Sequence, residues 1–380
     1  METKTIDYTL LAVSFVLISI GILILASTSA SLSWETFGSS THILFHQIKF
    51  GYLPGLLLGG LCFFLPLGKI KKWSLIIVLV ALLFTGLVFC PKIGVSLGGS
   101  SRWINLGIIS FQPSEFLKIG LIVYLAAWIS GQESKFSLKF NNRFSKKLQI
   151  FSLDDTAKLF IPFIAIIGII GLIFIRQPDI STLGIIVLTA FLMYFVANTR
   201  ILHTLLLFAL GIAGFFTIIS FTSYRSNRIL AFMKEGIDPM GIGYQIQQSL
   251  IAIGSGGIFG KGIGMSVQKF GFLPQTTSDS IFSIFAEESG LIGSVSLVAL
   301  FLLFAFLGIR ISKRAPDKFS QILALGIVCW ITIQAFVNIG AVTEIIPLTG
   351  IPLPFISYGG SHIVAELIGV GILLNISKNT

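Results

Sequence analysis

Long apolar runs alternate with short polar connections along the whole chain. An α-helix needs roughly 20 apolar residues to cross about 30 Å of hydrocarbon. Runs that meet this test lie near 8–29, 50–67, 73–90, 112–130, 159–176, 180–197, 202–221, 280–309, 319–340 and 355–375. A membrane-spanning strand needs only about ten residues, so runs of this length predict helices. The pattern therefore predicts an all-α integral membrane protein with about ten transmembrane helices, organised as one polytopic domain over 1–380.

Composition supports the same class. Hydrophobic residues make up 54% of the chain and charged residues only 11%, and the mean hydropathy is +0.94, values far from those of a soluble domain. The three cysteines, Cys62, Cys90 and Cys329, lie within or at the ends of apolar runs without paired spacing. They predict neither a disulfide framework nor a metal site. The first apolar run lacks a clear cleavage site, so we expect it to stay as a helix.

The formal net charge of +10 is distributed in a way that predicts orientation. Lys and Arg concentrate in alternate connections, notably 69–72, 135–147 and 310–318, whereas the connections 31–48 and 341–354 contain neither residue. Because Lys and Arg favour the cytoplasmic side of a membrane, both termini are expected in the cytoplasm. The excess charge is thus interpreted as a topology signal, and no nucleic-acid partner is expected.

One connection is much longer than the others. Residues 222–279, between the seventh and eighth predicted helices, form a large extracytoplasmic loop. Its portion 241–265 has helical periodicity first and glycine-rich breaks afterwards, which predicts one or two interfacial helices followed by a re-entrant or tightly turned segment. A structured loop without chemistry is the alternative, but long ordered loops more often carry function.

Charged residues gather in the outer half of the predicted bundle. Charge in or beside a span is costly and is by default a functional hypothesis. The acids there are Glu115, Asp179, Asp279, Glu287, Glu288 and Glu344, and the bases are Arg102, Lys118, Arg176, Arg225, Arg228, Lys261 and Lys269. A mixed set with basic excess suits an anionic, lipid-linked substrate. Its phosphate would be held by Arg, Lys and the N–H groups of the glycine-rich segment.

Two of these pairs also have local structural explanations. Glu115 and Lys118 are three residues apart on one helix and can neutralise each other. Arg176 and Asp179 flank a helix break and can form an interfacial pair. For each pair taken alone, the structural interpretation is slightly favoured over a functional one.

Four further polar residues are less informative. Glu287 and Glu288 are adjacent, hence on different helix faces, so both cannot meet one partner. His203 and His362 are lone histidines near helix ends and are expected to be satisfied by hydrogen bonds. No Walker motif, H-E-x-x-H motif or cysteine cluster is present, so any energy comes from the substrate or a gradient.

Five segments resemble one family. They are GGSSRWINLGIISFQPSEFLKI (98–119), QPDIST (177–182), GYQIQQSLIAIGSGGIFGKGIG (243–264), FLPQTTSDSIFSIFAEESGLIG (272–293) and NIGAVTEIIPLTGIPLPFISYGGS (338–361). In this order they resemble the SEDS family (shape, elongation, division, sporulation), over nearly the whole chain. The G-x-G-x-S-x-Q-K spacing in 260–274 is closer to the FtsW branch than to the RodA branch.

The resemblance implies peptidoglycan glycosyltransferase activity in the bacterial cell membrane. The substrate would be lipid II, an undecaprenyl-pyrophosphate-linked disaccharide-pentapeptide, and the product a β-1,4-linked glycan. The family's catalytic carboxylate corresponds to Asp279, which would act as general base in a single inverting displacement. The alternative for Asp279 is the N-cap of the eighth predicted helix.

The resemblance also implies further binding residues and partners. Candidates for the polar cavity and the pyrophosphate are Arg102, Glu115, Lys118, Gln177, Asp179, Lys261, Lys269, Ser357 and Tyr358. A divalent cation, Mg²⁺ or Mn²⁺, could assist the pyrophosphate, although no carboxylate cluster in the sequence requires one. The expected partners are a class B penicillin-binding protein transpeptidase and other divisome or elongasome membrane proteins.

The chain departs from the family pattern near the expected catalytic residue. Thr277-Ser278 stands where the family usually has His-Thr, and Gln275 replaces a Glu. Glu366 is an added acid in the last predicted helix, with no role that the sequence explains beyond pairing with an unidentified partner. Two alternatives therefore stay open: a transporter that flips lipid-linked precursors, and a non-catalytic scaffold for a transpeptidase. A carrier should have inverted repeats and access from both faces, and no convincing repeat is present.

Overall fold

The computed structural model describes residues 6–91, 93–97, 100–105, 107, 110–140, 153–196, 201–220 and 241–379. Its first half contains helices α1 (Tyr8–Phe37), α2 (His42–Gln47), α3 (Leu53–Phe64), α4 (Leu67–Leu87) and α5 (Pro113–Phe140), with strands β1 (Gly94–Leu97), β2 (Ser100–Asn105) and β3 (Ser110–Phe111). The second half contains α6 (Leu153–Arg176), α7 (Ile180–Val196), α8 (Ile201–Ser220), α9 (Ile242–Ser255), α10 (Ile281–Arg314), α11 (Lys318–Val342) and α12 (Gly360–Lys378).

Each of the ten predicted apolar runs overlaps a helix. Within the described ranges, seven helices are long and apolar enough to cross a membrane, and α2 and α3 count among them as one continuous helix, His42–Phe64. Two further apolar helices, Phe160–Arg176 and Ile180–Val196, are shorter. The predicted all-α class is confirmed, while the number of spans stays a prediction.

The second helix differs from its prediction in start and in geometry. It begins at His42 rather than near residue 50, and a π-helical turn, Ile48–Tyr52, joins α2 to α3. Pro54 follows at the start of α3 and cannot donate a backbone hydrogen bond. The backbone therefore leaves the α-helical hydrogen-bond pattern just before Pro54, which has no N–H with which to continue it.

A small antiparallel sheet follows α4, and the sequence analysis did not foresee it. The strand order is β1-β2-β3, with Val95 opposite Trp103 and Ile104 opposite Phe111. In the stretch 94–105 only Val95, Ser96 and Leu97 alternate between apolar and polar, which is shorter than the alternation that indicates a strand. This sheet places Arg102 at the end of the bundle where α5 begins.

The helices α5, α11 and α12 are the most buried of the candidate membrane spans among the described residues. Small residues let α12 approach α3 closely: a methyl group on Gly59 or Gly371 would collide with backbone of the other helix. Close approach through glycine is a common way to pack helices in lipid, where burial of apolar area gives little driving force.

The start of α1 and the end of α12 lie at the same end of the bundle. The backbone N–H of Asp7, at the start of α1, donates to Ser377 Oγ in α12 (3.2 Å), and Arg310 near the end of α10 pairs with the Asp7 carboxylate (2.6 Å). We call this the terminal end. The opposite end contains the start of α10, the sheet and the connection 343–359, and we call it the site end.

The long connection is described only from residue 241 onward, so the predicted portion 222–240 lies outside the described residues. The predicted helical part is the helix α9, and a series of tight turns follows it. Gly260 has φ +81°, and a side chain on it would collide with the backbone of Glu288. This turn therefore packs against α10 at a place where only glycine fits.

Candidate functional site

Asp279 lies at the site end, one residue before the N-cap of α10. It is half-buried, its Oδ1 accepts a hydrogen bond from Ser278 Oγ (2.7 Å), and its backbone oxygen accepts one from Asn338 Nδ2 (2.8 Å). The N-cap of α10 is Ser280, and it makes no side-chain cap hydrogen bond. The N-cap alternative for Asp279 is therefore wrong, and its carboxylate lies beside a fixed backbone.

The connection 343–359, which we call the α11–α12 loop, holds the backbone that precedes Asp279. Ser357 Oγ donates to the carbonyl of Ser278 (2.5 Å), and the N–H of Tyr358 donates to the carbonyl of Thr277 (2.8 Å). A methyl group on Gly350 would lie 3.5 Å from Asp279 Oδ2. The motif residues Ser357 and Tyr358 thus act on the Asp279 segment, and the loop approaches the carboxylate itself.

Two amides on α11 tie this loop to the core. Asn338 Nδ2 donates to the carbonyl of Ile351 (2.7 Å) as well as to Asp279, and Gln334 Nε2 donates to the carbonyl of Pro352 (3.1 Å). The sequence analysis did not single out either amide. Their signal was present, because polar residues four apart in an apolar helix share one face.

Lys118 and Glu115 form the ion pair that their spacing predicts, with 2.8 Å between Nζ and Oε2. Both are almost completely buried. Lys118 also donates to Gln334 Oε1 (2.7 Å), which accepts from Trp330 Nε1 as well (2.9 Å). The lysine is therefore one member of a buried polar network that reaches the α11–α12 loop through Gln334.

Arg102 is the partner of Asp179. Its guanidinium donates to the carbonyl of Pro178 (2.7 Å), and its Nε lies 3.7 Å from Asp179 Oδ2. Asp179 also accepts from the N–H of Thr182 (3.3 Å) and so caps α7. The predicted pairing of Asp179 with Arg176 is wrong, because the sheet brings Arg102 to the same corner.

The turn between α6 and α7 is hydrogen-bonded both to α4 and to the α11–α12 loop. Gln177 Nε2 donates to the carbonyl of Thr85 in α4 (2.9 Å), and Ser181 Oγ donates to the carbonyl of Thr349 in the α11–α12 loop (2.7 Å). Thr349 precedes Gly350, the residue beside Asp279. The corner that holds Arg102 and Asp179 is therefore connected to the surroundings of Asp279 by the short loop stretch that contains Thr349 and Gly350.

Lys261 and Lys269 lie in a different cluster. Lys261 pairs with Glu287 (2.6 Å), and Lys269 pairs with Glu288 (3.2 Å) and donates to Ser27 Oγ on α1 (3.0 Å). The two acids pair with different lysines, but both also accept a hydrogen bond from Ser266: Glu287 from its hydroxyl and Glu288 from its N–H (3.4 Å). The expectation that these adjacent acids cannot meet one partner is therefore wrong. We call these two ion pairs the loop anchor, and the predicted substrate contact of both lysines stays a prediction.

A cavity of about 580 Å³ opens on the other side of the α11–α12 loop. Tyr358 lines it, and its hydroxyl is hydrogen-bonded to His46 Nδ1 (3.0 Å). Burial raises the pKa of the Tyr358 phenol, so this hydroxyl is neutral at physiological pH. The remaining polar and aromatic lining includes Trp103, Asn105, Ser110 and Ser361.

An apolar groove of about 970 Å³ adjoins this cavity. It runs between α3, α4, α5 and α12, from Lys69 toward Phe111, and its wall is apolar almost throughout. Phe111 and Phe116 line both spaces. A molecule with a long apolar part and a polar head would thus find a continuous path toward the site end.

The described residues contain no group of three or more His, Cys, Asp or Glu side chains arranged to hold a metal ion. The arrangement at the site end is instead one half-buried carboxylate, one partly exposed guanidinium and a loop fixed by amides. Such a set can accept a proton and compensate an anion.

Comparisons with known proteins agree with this architecture. The chain is 36% identical over 372 residues to stage V sporulation protein E of Bacillus subtilis, covering 98% of this chain and 97% of that protein. It is 35% identical over 376 residues to the probable peptidoglycan glycosyltransferase FtsW of Geobacter metallireducens, covering 99% and 96%. These two identities are too similar to separate the branches that the relatives represent.

Solved structures share the fold. A chain of a peptidoglycan synthase complex, studied for the coordination of polymerisation and crosslinking, matches with a TM-score of 0.75 and 24% identity, covering 98% of both chains. The rod shape determining protein RodA of Thermus thermophilus matches with a TM-score of 0.66 and 24% identity, covering 98% and 97%. The family model of the FtsW/RodA/SpoVE cell cycle proteins matches residues 8–380. This chain is a multi-pass membrane protein that belongs to the FtsW/RodA/SpoVE family.

Proposed function

We propose that the protein is a peptidoglycan glycosyltransferase that polymerises lipid II into β-1,4-linked glycan strands. One observation carries the proposal: Asp279 is a half-buried carboxylate on a fixed backbone, at the end of the bundle opposite the start of α1 and the end of α12. Relatives about 35% identical over nearly the full chain are named as probable peptidoglycan glycosyltransferases. Their names do not favour the transporter alternative.

The reaction needs one base and a stabilised leaving group. The acceptor sugar hydroxyl attacks the anomeric carbon of the donor, the new C–O bond forms, and the bond from that carbon to the pyrophosphate breaks. Asp279 takes the proton of the hydroxyl, and undecaprenyl pyrophosphate leaves with the bonding electrons. A single displacement of this kind inverts the anomeric centre and requires only one carboxylate.

Arg102 is better placed than Lys118 to bind the pyrophosphate. The Arg102 side chain is 31% exposed, whereas that of Lys118 is 2% exposed and already meets Glu115 and Gln334. A guanidinium can bind a phosphate through two parallel hydrogen bonds while its remaining donor stays near Asp179. We therefore assign Arg102 to the anion and Lys118 to the support of the α11–α12 loop.

The apolar groove suits the lipid part of the substrate. Its apolar wall and its connection with the polar cavity through Phe111 and Phe116 match a long isoprenoid that ends in a polar head. The described residues do not form a resident metal site. The proposed mechanism therefore assigns no step to Mg²⁺ or Mn²⁺. Measurement of polymerisation with and without added cation tests whether one bound to the pyrophosphate takes part.

The location and partners follow from charge and from relatives. With the start of α1 and the end of α12 at one end, and Lys and Arg concentrated in the connections predicted on that side, the terminal end faces the cytoplasm of a bacterial cell. The site end then faces the outer leaflet, where the glycan is built.

A solved relative belongs to a peptidoglycan synthase complex, which favours a class B penicillin-binding protein as partner. The role we propose is septal, within the divisome.

The test is polymerisation by the purified protein. Lipid II is incubated with the protein, with and without its transpeptidase, and glycan polymer is resolved on a gel. Asp279→Asn should reduce the rate by about 10²–10⁴-fold, the range that general base catalysis contributes. Asp317→Asn is the matched control, because Asp317 caps α11 at the terminal end, where it accepts from Ser320 N–H (3.1 Å).

The outcomes separate the alternatives. Loss of polymer in Asp279→Asn, with Asp317→Asn active, supports the polymerase. Full activity of Asp279→Asn would contradict the catalytic assignment. No polymer from the wild-type protein in the presence of its transpeptidase would favour the scaffold. Movement of fluorescent lipid II across a vesicle membrane without polymer would favour the transporter.

A further inference from the structure

Glu366 is an acid in the middle of the most buried helix, and the reaction proposed above does not use it. Its side chain is fully buried. Oε2 accepts a hydrogen bond from the backbone N–H of Phe355 (2.8 Å), and Oε1 has no hydrogen-bond partner among the described residues. A carboxyl group in such a place is costly. Among the described residues its one hydrogen bond goes to the α11–α12 loop, and this bond points to the reason for its presence.

The peptide that Glu366 contacts is in an unusual conformation. Phe355 has φ +63°, in the left-handed region that bulky residues rarely adopt, and its side chain is fully buried. Such a conformation is energetically unfavourable and persists only where the surroundings impose it. The carbonyl of Phe355 accepts from the Tyr52 hydroxyl (3.1 Å), and the absence of a side chain at Gly21 leaves room for that carbonyl. Both polar groups of this residue are thus held by side chains from other helices.

The residues after Phe355 are hydrogen-bonded to the backbone that precedes Asp279. Ser357, two residues further on, donates to the carbonyl of Ser278, and Tyr358 donates to the carbonyl of Thr277. These carbonyls belong to the residues immediately before Asp279. A change in the direction of the chain at Phe355 would move both donors, and the carboxylate would lose its orientation.

We infer that Glu366 is a positioning residue: together with Tyr52 it clamps the left-handed peptide of Phe355 and so orients Asp279. The inference rests on the proposed function of Asp279. What the clamp requires of residue 366 is a hydrogen-bond acceptor at the end of a side chain of this length. Glutamine supplies the same acceptor, whereas leucine fills similar space without one.

The test compares three variants of the full-length protein in the lipid II polymerisation assay. Glu366→Leu removes the acceptor, Glu366→Gln keeps it, and Asn375→Leu is the matched control on the same helix. Asn375 is buried and donates to the carbonyls of Cys62 (2.9 Å) and Leu65 (2.6 Å), at the terminal end. Activity is expressed per folded protein, which is measured by gel filtration and thermal unfolding in detergent.

We expect Glu366→Leu to lower kcat by about tenfold with little change in KM, because orientation of the base and not substrate binding is lost. Glu366→Gln should keep kcat within about twofold of the wild type. Asn375→Leu should lower the unfolding temperature but leave kcat unchanged. Tyr52→Phe should lower kcat in the same direction, and its effect should not add fully to that of Glu366→Leu.

A second measurement does not depend on catalysis. Hydrogen–deuterium exchange should become faster at 353–358 and 275–280 in Glu366→Leu, and at neither segment in Asn375→Leu. If the wild type made no polymer, the proposed function would fail while this exchange pattern could still support the clamp. Equal loss of kcat in Glu366→Gln and Glu366→Leu, or unchanged exchange in Glu366→Leu, would overturn the inference.

Discussion

Two regions at the site end use buried polar groups in opposite ways. In the loop anchor, the acids Glu287 and Glu288 hold the glycine-rich turns through Lys261 and Lys269. Around Asp279, the carboxylate is half-buried and the holding is done by neutral groups on backbone atoms. In the first region charged side chains hold the backbone, and in the second neutral side chains hold the backbone around the acid.

The difference shows which polar contacts matter for function. In the loop anchor, Glu287 and Glu288 are only 0% and 2% exposed, so these carboxylates are out of reach of a substrate. Beside Asp279, amide and hydroxyl donors hold the backbone on both sides of the acid. Substitutions in the loop anchor should therefore lower stability, whereas substitutions that loosen the backbone around Asp279 should also lower activity.

The largest expected effect concerns Lys269 in the loop anchor. Its side chain is 7% exposed, and that of Glu288 is 1% exposed. Lys269→Met leaves a buried carboxylate without its cation, which should lower the free energy of unfolding by about 3–5 kcal/mol. Chemical denaturation in detergent measures the loss.

The double variant Lys269→Met/Glu288→Leu is the control for this prediction. Because it removes both charges, it should regain most of the lost stability. A double variant as unstable as the single one would mean that packing of the lysine stem, and not the uncompensated charge, is responsible.

The glycine-rich turns offer a matched pair of substitutions. Gly260 and Gly264 both have left-handed φ, +81° and +86°, but only Gly260 lies against the backbone of Glu288, while Gly264 faces open space. Gly264→Ala should cost about 1 kcal/mol, for the conformation alone. Gly260→Ala should cost about 3 kcal/mol, because the collision adds to the strain. Equal unfolding temperatures for the two variants would contradict the close packing of the turns on α10.

The sequence predicted the helices well because each long apolar run can satisfy its backbone only as a helix. The ion pair of Glu115 with Lys118 was also predictable, since a spacing of three residues places both on one helix face. The family motifs identified Asp279, Arg102 and the residues of the α11–α12 loop as candidates. Local pattern was therefore enough to locate the helices, and motif was enough to choose the candidate residues.

Contacts between distant segments could not be predicted in this way. The choice of Arg102 over Arg176 as the partner of Asp179 depends on a sheet that the sequence analysis missed. The partner of Glu366 is a peptide in a left-handed turn, and φ at Phe355 is set by tertiary packing and not by residue type. Which acid meets which base is decided by the assembled bundle.

A smaller effect is expected for Ser357, and it should separate activity from stability. Ser357→Ala removes the bond to Ser278 and the bond that Ser357 accepts from the Leu353 N–H (2.8 Å), whereas Ser312→Ala removes one buried bond to the carbonyl of Gln321 at the terminal end (2.7 Å). Ser312→Ala should lose about 1 kcal/mol of stability and Ser357→Ala about 2 kcal/mol. Only Ser357→Ala should also lower kcat, by about tenfold, because only it touches the Asp279 segment.

The polymerisation assay and thermal unfolding together check this pair. A fall in kcat that matched the fall in folded protein for Ser357→Ala would show that the bond stabilises the fold without orienting Asp279. Loss of kcat in Ser312→Ala would show that the bundle transmits any local loosening to the site, which would remove the distinction between the two regions.

The smallest effect is expected for Lys261, and it sharpens the comparison within the loop anchor. The Lys261 side chain is 35% exposed, five times the 7% of Lys269, so water screens its ion pair with Glu287. Glu287 also keeps other donors when the lysine is lost: Ser255 and Ser266 through their hydroxyls, and Val267 through its N–H. Lys261→Met should therefore lower the free energy of unfolding by only about 1 kcal/mol or less.

Denaturation of Lys261→Met at low and high salt measures this loss and its screening. The difference from the wild type should shrink as salt rises, because the ion pair is partly exposed to solvent. A loss as large as that of Lys269→Met would mean that both lysines are equally needed to neutralise the anchor. If instead stability were kept but KM for lipid II rose several-fold, the charge of Lys261 would serve the substrate, and the glycine-rich turns would have to be counted with Asp279 as part of the site.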